Sequence, residues 1–258
     1  MKIGLIGRGA IAQYVRPGLD ARGHDLAAVL LRPDRVTSGA DGEFGSVDAL
    51  PAGVDLMIDC AGHAALTEYG PQILARGIDM ISVSLGALAD PSHAAALSQA
   101  AEKGGARLHL ASGAIGALDC LSAARVGTLT AVTYTGRKPP QGWRGSPAEA
   151  KVDLDGLTQG SEIHFDGSAR AAALQYPKNA NVAAAVALAG IGLDETRVKL
   201  IADASISHNI HEVTAAGDFG QFSFQISGVS LPDNPRSSAL AAMSVLSKLD
   251  QINERVTL

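Results

Sequence analysis

Through the first half of the chain, apolar residues come in short runs, each followed by a stretch in which they recur every three or four positions. The runs are Lys2–Ile6, Asp25–Leu31, Val54–Ala61, Ile78–Ser84 and Ala106–Ala111. The periodic stretches are Ala10–Arg22, His63–Arg76 and Ser92–Lys103. Apolar strands alternating with helices at this spacing predict a parallel, doubly wound sheet, whose strands are buried on both faces and need no polar alternation.

After about Ile115 the pattern changes. LTAVTYTGRK (Leu129–Lys138) alternates as a strand with one wet face does, and PPQGWRGSP (Pro139–Pro147) has the composition of a loop. A strand over Glu162–Ser168 leads into a short helix, Ala169–Gln175, and a second helix follows from Asn181. Three β-rich pieces come next, Arg197–Ala204, His211–Ala216 and Phe219–Val229, with AAGDFG between the last two reading as a hairpin turn. An Ala-rich helix beginning near Pro235 closes the chain. Neighbouring strands with segregated helices predict a smaller α+β domain with a mostly antiparallel, open sheet.

Composition narrows the function classes. Of 258 residues, 47% are apolar, 18% charged and only 4% aromatic, which fits a globular chain whose helices pack on sheets through small side chains. A formal net charge of −5, without a basic block, argues against a nucleic-acid partner. No apolar run approaches the ~20 residues that span a bilayer, and the opening MKIGLIG reads as a strand, so a cytoplasmic enzyme is the expectation. Cys60 and Cys120 lie in apolar segments without metal-ligand spacing, so buried free thiols and no metal are expected.

The first chemical motif is GLIGRGAIA. It holds Gly7-x-Gly9-x-x-Ala12 directly after a predicted strand and at the start of a helix, the setting in which this spacing cradles a dinucleotide. Gly7 permits the tight turn, Gly9 lets a pyrophosphate approach the backbone, and Gly7, Gly9, Ala10 and Ile11 form the cradle, with Ala61 closing the facing strand. An acid is expected after the second strand to meet the ribose of NAD, but the chain reads Leu31-Arg32-Pro33-Asp34-Arg35. Arg32 and Arg35 suit the 2′-phosphate of NADP, so use of NAD or NADP is expected. Residues 1–114 are therefore read as a Rossmann-type dinucleotide-binding domain, 115–233 as the catalytic and dimerisation domain, and 234–258 as a helix returning to the first.

The second motif is YPKNANVAAAVALAGIG, Tyr176–Gly192. Lys178, Asn179 and Asn181 crowd the start of an otherwise apolar helix with more polar groups than one cap needs, although a decorated cap accounts for them as well. A helix N-terminus also attracts carboxylates and phosphates.

Together with ASGAIGALD (Ala111–Asp119) and ADASISHNIHEV (Ala202–Val213), this stretch resembles the L-aspartate dehydrogenase family, with VSLGALAD and NPRSSALAAMSVL also in family-like places. The resemblance implies a Rossmann domain plus a dimer-forming α/β domain, and NAD(P)-dependent oxidation of L-aspartate to iminoaspartate, then oxaloacetate and ammonia, an activity that would feed NAD biosynthesis. It implies that Ala114 and Asn181 meet the nicotinamide end of the cofactor and that His211 is the active-site histidine. Ala204 departs from the family's Asp-Pro, and His208 is an extra histidine.

Chemistry from the residues agrees. Hydride removal from an amino acid needs a base for the ammonium group and another for water, and histidine suits both. A dicarboxylate needs cationic or N–H-rich contacts, which Lys178, Asn179, His208 and Asn209 are expected to supply. Asp203 or a backbone carbonyl is expected to orient His211, and strand alternation to place His208 on the opposite face. Trp143 reads as a lid or as packing. Two other readings stay open: an oxidoreductase resembling homoserine dehydrogenase or dihydrodipicolinate reductase, and a non-catalytic dinucleotide sensor.

Overall fold

The computed structural model describes the chain apart from residues 38–41, 178, 232–233 and 257–258, and apart from the side chains of 235–237. Two compact units emerge. The first comprises Met1–Ala87, Pro91–Ala111 and Ala241–Leu258, the second Leu88–Asp90 and Ser112–Leu240.

The first unit is built on β1 (Lys2–Ile6), β2 (Asp25–Leu30), β3 (Glu43–Phe44), β4 (Leu56–Asp59), β5 (Asp79–Ser82) and β6 (Leu108–Leu110). All pairings are parallel, in the order β3-β2-β1-β4-β5-β6. That is the doubly wound arrangement expected of the apolar runs. Helices α1 (Ala10–Asp20), α2 (His63–Ala75) and α3 (Pro91–Gly104) supply the crossovers. Ile3, Leu5, Leu56, Ile58 and Ile81 from the strands meet Val15 and Leu19 of α1 in one core, which Val245 and Leu249 of the chain's last helix complete. Gly18 allows that last contact, since a Cβ there would fall 2.4 Å from Leu246. The edge strand β3 is too short to have shown in the hydrophobic pattern.

The second unit carries α4 (Leu118–Ala124), β7 (Leu129–Lys138), β8 (Ser161–Ser168), α5 (Ala169–Gln175), α6 (Asn181–Ala189), β9 (Arg197–Asp203), β10 (Asn209–Gly217) and β11 (Gly220–Gly228). Its sheet runs β11-β10-β7-β9-β8, antiparallel except between β7 and β9. The β10–β11 hairpin closes at the Gly217–Gly220 pair, so the AAGDFG turn is borne out. Residues Val182–Ala187 of α6 are all buried, and their small side chains let this helix lie close against the sheet.

Four local expectations are corrected. The closing helix starts at Ala239 and not near Pro235, because Asn234–Ser238 is taken up as a strand pairing with Ser230–Leu231. The Pro139–Pro147 loop contains one 3₁₀ turn, Pro140–Trp143, and leads into a second at Pro147–Ala150; Trp143 is completely buried with its indole N–H bonded to Ile201 O at 2.9 Å, so of its two readings packing holds and the lid falls. Cys120 is exposed, since α4 buries only Leu121, while Cys60 is half-buried. His208 precedes β10, so strand alternation does not place it; its exposed ring contacts Ser207 Oγ at 2.9 Å.

Candidate active site

In the first unit the glycine loop follows β1 directly. Gly7 has φ +89°, a left-handed conformation that favours glycine, and a Cβ there would fall 2.9 Å from Ala61 Cβ. Gly9 is the N-cap of α1 and supplies no side-chain cap, and nothing lies within 4 Å of where its Cβ would be. The first N–H groups of α1, at Ala10 and Ile11, therefore begin a helix whose end has room for a ligand, which fits a dinucleotide pyrophosphate. Gly62 (φ +94°) is open in the same way. Its loop is fixed by Asp59, a completely buried carboxylate that sequence reasoning missed. Asp59 accepts from Ala61 N (2.9 Å), Gly62 N (3.1 Å), Ser82 Oγ (2.8 Å) and Ser84 Oγ (2.5 Å). Arg32 is exposed after β2 and opens the 3₁₀ turn Pro33–Arg35.

In the second unit, alternation along β7 puts Val132, Tyr134, Gly136 and Lys138 on one face. His211 pairs with Gly136 across the ladder, and Val213 with Tyr134. Tyr134 and His211 are thus diagonal neighbours, and both are buried. Their bond is short, 2.7 Å from Tyr134 Oη to His211 Nδ1. Gly136 makes it possible: a Cβ there would lie 2.7 Å from the same phenol oxygen. Burial raises the Tyr134 pKa well above its ordinary value. Burial, helped by the Lys138 charge, lowers that of His211 to about 4, so the ring is neutral near pH 7.

At the end of the same face, Lys138 Nζ donates to Asn179 Oδ1 at 2.6 Å and lies 4.7 Å from the centre of the Trp143 ring. Lys138 is half-buried, and burial of its amine draws the pKa down to about 8. No carboxylate pairs with it among the described residues. His164 stands edge-on to Trp143, with ring centres 4.3 Å apart, and its Nδ1 lies 3.2 Å from Tyr176 Oη. Its Nε2 is buried without a partner among the described residues, and its pKa is lowered to about 4, first by burial and then by Lys151 and Lys138.

The structure therefore brings His211 and Asn179 into one unit with Tyr134, Lys138 and His164, which sequence reasoning did not place there. Gly136 inside a strand was the available signal, because glycine there marks a close approach. The expected orienting partner Asp203 goes elsewhere: it accepts from Ser205 N and Oγ (2.9 and 2.5 Å) and from Arg137 (3.2 Å), and Tyr134 takes its place at His211. Asn209 opens β10, and Asn181 is the first residue of α6, after Ala180. Ala114 is buried in the ASGAIG turn. Within that turn Gly113 has φ +71° and Ala117 φ 60°, a strained value for alanine. Lys178 lies outside the described residues.

A family model described as "Aspartate dehydrogenase, C-terminal" matches residues 119–252, and one described as "Homoserine dehydrogenase, NAD binding domain" matches 4–111. A protein named L-aspartate dehydrogenase from Ruegeria pomeroyi is 55% identical, over 97% of this chain and 92% of its own. Another of that name from Pseudomonas aeruginosa is 50% identical over 88% of this chain and 81% of its own. Among solved structures, the aspartate dehydrogenase of Thermotoga maritima superposes with a TM-score of 0.77 at 25% identity, covering 100% of this chain and 99% of that one.

Proposed function

The chain belongs to the aspartate dehydrogenase family, and we propose on that footing that it oxidises L-aspartate to iminoaspartate with NAD or NADP, water then giving oxaloacetate and ammonia. The observation that carries the reading is the buried Tyr134–His211 pair sharing one sheet face with the amine of Lys138, which has no carboxylate of its own among the described residues. An amino-acid substrate brings both hydrogen-bond acceptors and an ammonium proton to such a face.

Gly7, Gly9, Ala10 and Ile11 hold the pyrophosphate in this reading, with Ala61 beside Gly7 and Arg32 at the ribose end. Ala114 and Asn181 meet the nicotinamide, which when bound supplies the hydride acceptor. His211 is the catalytic residue and touches the substrate. Lys178, Asn179, His208 and Asn209 bind its carboxylates. Because Tyr134 and His211 are buried, this face strengthens each polar contact to the substrate. We also infer a homodimer. Thr133, Thr135, Glu212, Thr214, Ser223 and Gln225 form the other face of the sheet and stay exposed or half-buried, which leaves that face for a second copy. A monomer's mass in solution would remove this inference.

The test is direct. Purified protein with L-aspartate and either cofactor should show the reduced-nicotinamide absorbance band growing, with ammonia released in step. A protein whose melting temperature rises with NAD or NADP, yet which reduces neither with aspartate, would be a dinucleotide sensor and not this enzyme.

A further inference from the structure

A neutral imidazole has one N–H and one lone pair, and its neighbour decides which nitrogen carries which. His211 Nδ1 faces Tyr134 Oη. The phenol keeps its proton and, among the described residues, has no second partner. If Nδ1–H donated to the phenol oxygen, the phenol's own hydrogen would be buried with no acceptor. If the phenol donates to Nδ1, both the phenol hydrogen and the Nδ1 lone pair are satisfied. The ring proton then sits on Nε2. On its other edge His211 therefore offers a donor and no lone pair.

That leaves the oxidation without its base, since the substrate's ammonium group must lose a proton before the carbon–nitrogen double bond can form. One group with a lone pair to offer lies on the same sheet face, in register one diagonal step from His211. Lys138 lies within electrostatic reach of both His211 and His164, donates to Asn179, and has no counter-ion among the described residues. A neutral amine can give one N–H to Asn179 Oδ1 and keep its lone pair for a substrate.

We propose that Lys138 is the base of the reaction, its neutral amine taking the proton from the α-ammonium group of the substrate while His211 holds the substrate through Nε2–H. The inference rests on the aspartate reading above. Lys138 goes from –NH₂ to –NH₃⁺ as the substrate goes from –NH₃⁺ to –NH₂. The Cα–H bond then breaks, its electron pair leaving as hydride for the nicotinamide cofactor, and the nitrogen lone pair closes the C=N bond of the iminium product.

The titratable groups around the amine are His211 on β10, His164 on β8 with Lys151 acting on it, and the phenols of Tyr134 and Tyr176. Arg137, next along β7, points to the opposite face and is paired with Asp203. Burial is what favours the neutral amine, and no carboxylate stands in this set to oppose it. Burial brings its pKa to about 8, much closer to that of an amino acid's α-ammonium group than an imidazole at about 4 comes.

The experiment measures kcat/KM for L-aspartate against pH in the wild type, Lys138→Arg and Lys138→Ala, with nucleotide affinity and melting temperature measured alongside. In the wild type kcat/KM should rise with pH through an inflection near 8, because the active form is the deprotonated one. Lys138→Arg keeps the charge but cannot act as a base. It should fold, bind nucleotide normally and lose about 10²–10⁴-fold in turnover. Lys138→Ala should recover part of its turnover with added ethylamine, in proportion to the free base. Wild-type turnover in Lys138→Arg would overturn the proposal, and so would an inflection that persists in Lys138→Ala and vanishes in His211→Gln. Should Lys138→Ala fail to fold, Lys138→Arg decides alone. A wild type inactive on aspartate would sink the parent reading and this one together, whereas an active wild type beside an equally active Lys138→Arg sinks only this one.

Discussion

In the first unit the candidate cradle is almost all main chain: a glycine at φ +89°, a glycine with nothing within 4 Å of its Cβ position, and the first N–H groups of α1. In the second unit the candidate site is side chains: a phenol, two imidazoles, an amine and an amide, from strands and turns far apart in sequence. A main-chain site needs only a few glycines at fixed spacing and a helix start, whatever the neighbouring side chains are. A side-chain site needs register, because Tyr134, Gly136 and Lys138 meet His211 only when β7 and β10 pair as they do. The first kind of site binds, since it offers N–H groups and dipole but nothing that titrates. The second can move protons, and its pKa values are displaced by burial.

The largest effect expected from breaking this contrast is at His211. His211→Ala should fold, bind nucleotide with unchanged affinity, and lose roughly tenfold to a hundredfold in kcat/KM, the worth of a hydrogen bond to a charged substrate group. Two substitutions that leave His211 in place sharpen the point. Tyr134→Phe removes the donor to Nδ1, worth about 1 kcal/mol or several-fold in rate, and frees the ring to populate both tautomers. Gly136→Ala should mimic it, because the new Cβ would sit 2.7 Å from the phenol oxygen and displace it. Nitrogen chemical shifts of His211 would report the change: wild type mostly protonated on Nε2, both variants mixed. A ring protonated on Nδ1 in the wild type would overturn the direction assigned to this hydrogen bond.

The same contrast explains what could be read from the sequence. The parallel, doubly wound sheet of the first unit, short edge strand aside, and the glycine loop were legible because continuous apolar runs and Gly7-x-Gly9-x-x-Ala12 are local patterns. The hairpin at Gly217–Gly220 was legible for the same reason. Tyr134 and Lys138 were not, since in LTAVTYTGRK one reads as an ordinary strand aromatic and the other as a solvated strand end. Only the pairing of β7 with β10, and the Tyr176–Ala180 turn carrying Asn179, give them partners. Trp143 stayed undecided between lid and packing for a related reason: a Gly/Pro-rich segment looks like a surface loop, but its indole finds a buried acceptor at Ile201 on β9. The Asn234–Ser238 strand was missed because its partner is only the two residues Ser230–Leu231.

A second pair of substitutions separates fold from binding in the main-chain site. Gly9 has φ −75°, open to any residue, and free space at its Cβ position, so Gly9→Ala should leave the melting temperature unchanged. The added methyl would stand where a pyrophosphate approaches α1, so affinity for NAD and NADP should fall about tenfold or more, a loss of ~1.4 kcal/mol. Gly7→Ala should behave differently. It imposes a left-handed conformation on alanine and a 2.9 Å approach to Ala61 Cβ, so about 1–2 kcal/mol of stability should be lost along with affinity. Unchanged nucleotide affinity in Gly9→Ala would mean that the cradle is only a turn.

The smallest expected effect concerns the one place where the first unit relies on side chains. Arg32 is exposed, and Arg35 Nε lies 3.5 Å from Asp34 in a pair open to solvent, worth at most about 1 kcal/mol. Neither guanidinium is committed to a strong partner there. The carboxylate on the neighbouring edge strand, Glu43, is occupied by Thr37 N at 2.8 Å and by Arg8 at 3.4 Å. The acid that usually meets the ribose of NAD is thus absent from the end of β2, and two cations stand in its place. A phosphate contact at an exposed site is partly screened, so Arg32→Ala with Arg35→Ala should weaken NADP by only about fivefold, ~1 kcal/mol, and NAD by less than twofold. The preference should also shrink as salt is raised, because the screened charges carry it. Equal losses for the two cofactors, or a preference indifferent to salt, would show that these arginines do not read the 2′-phosphate.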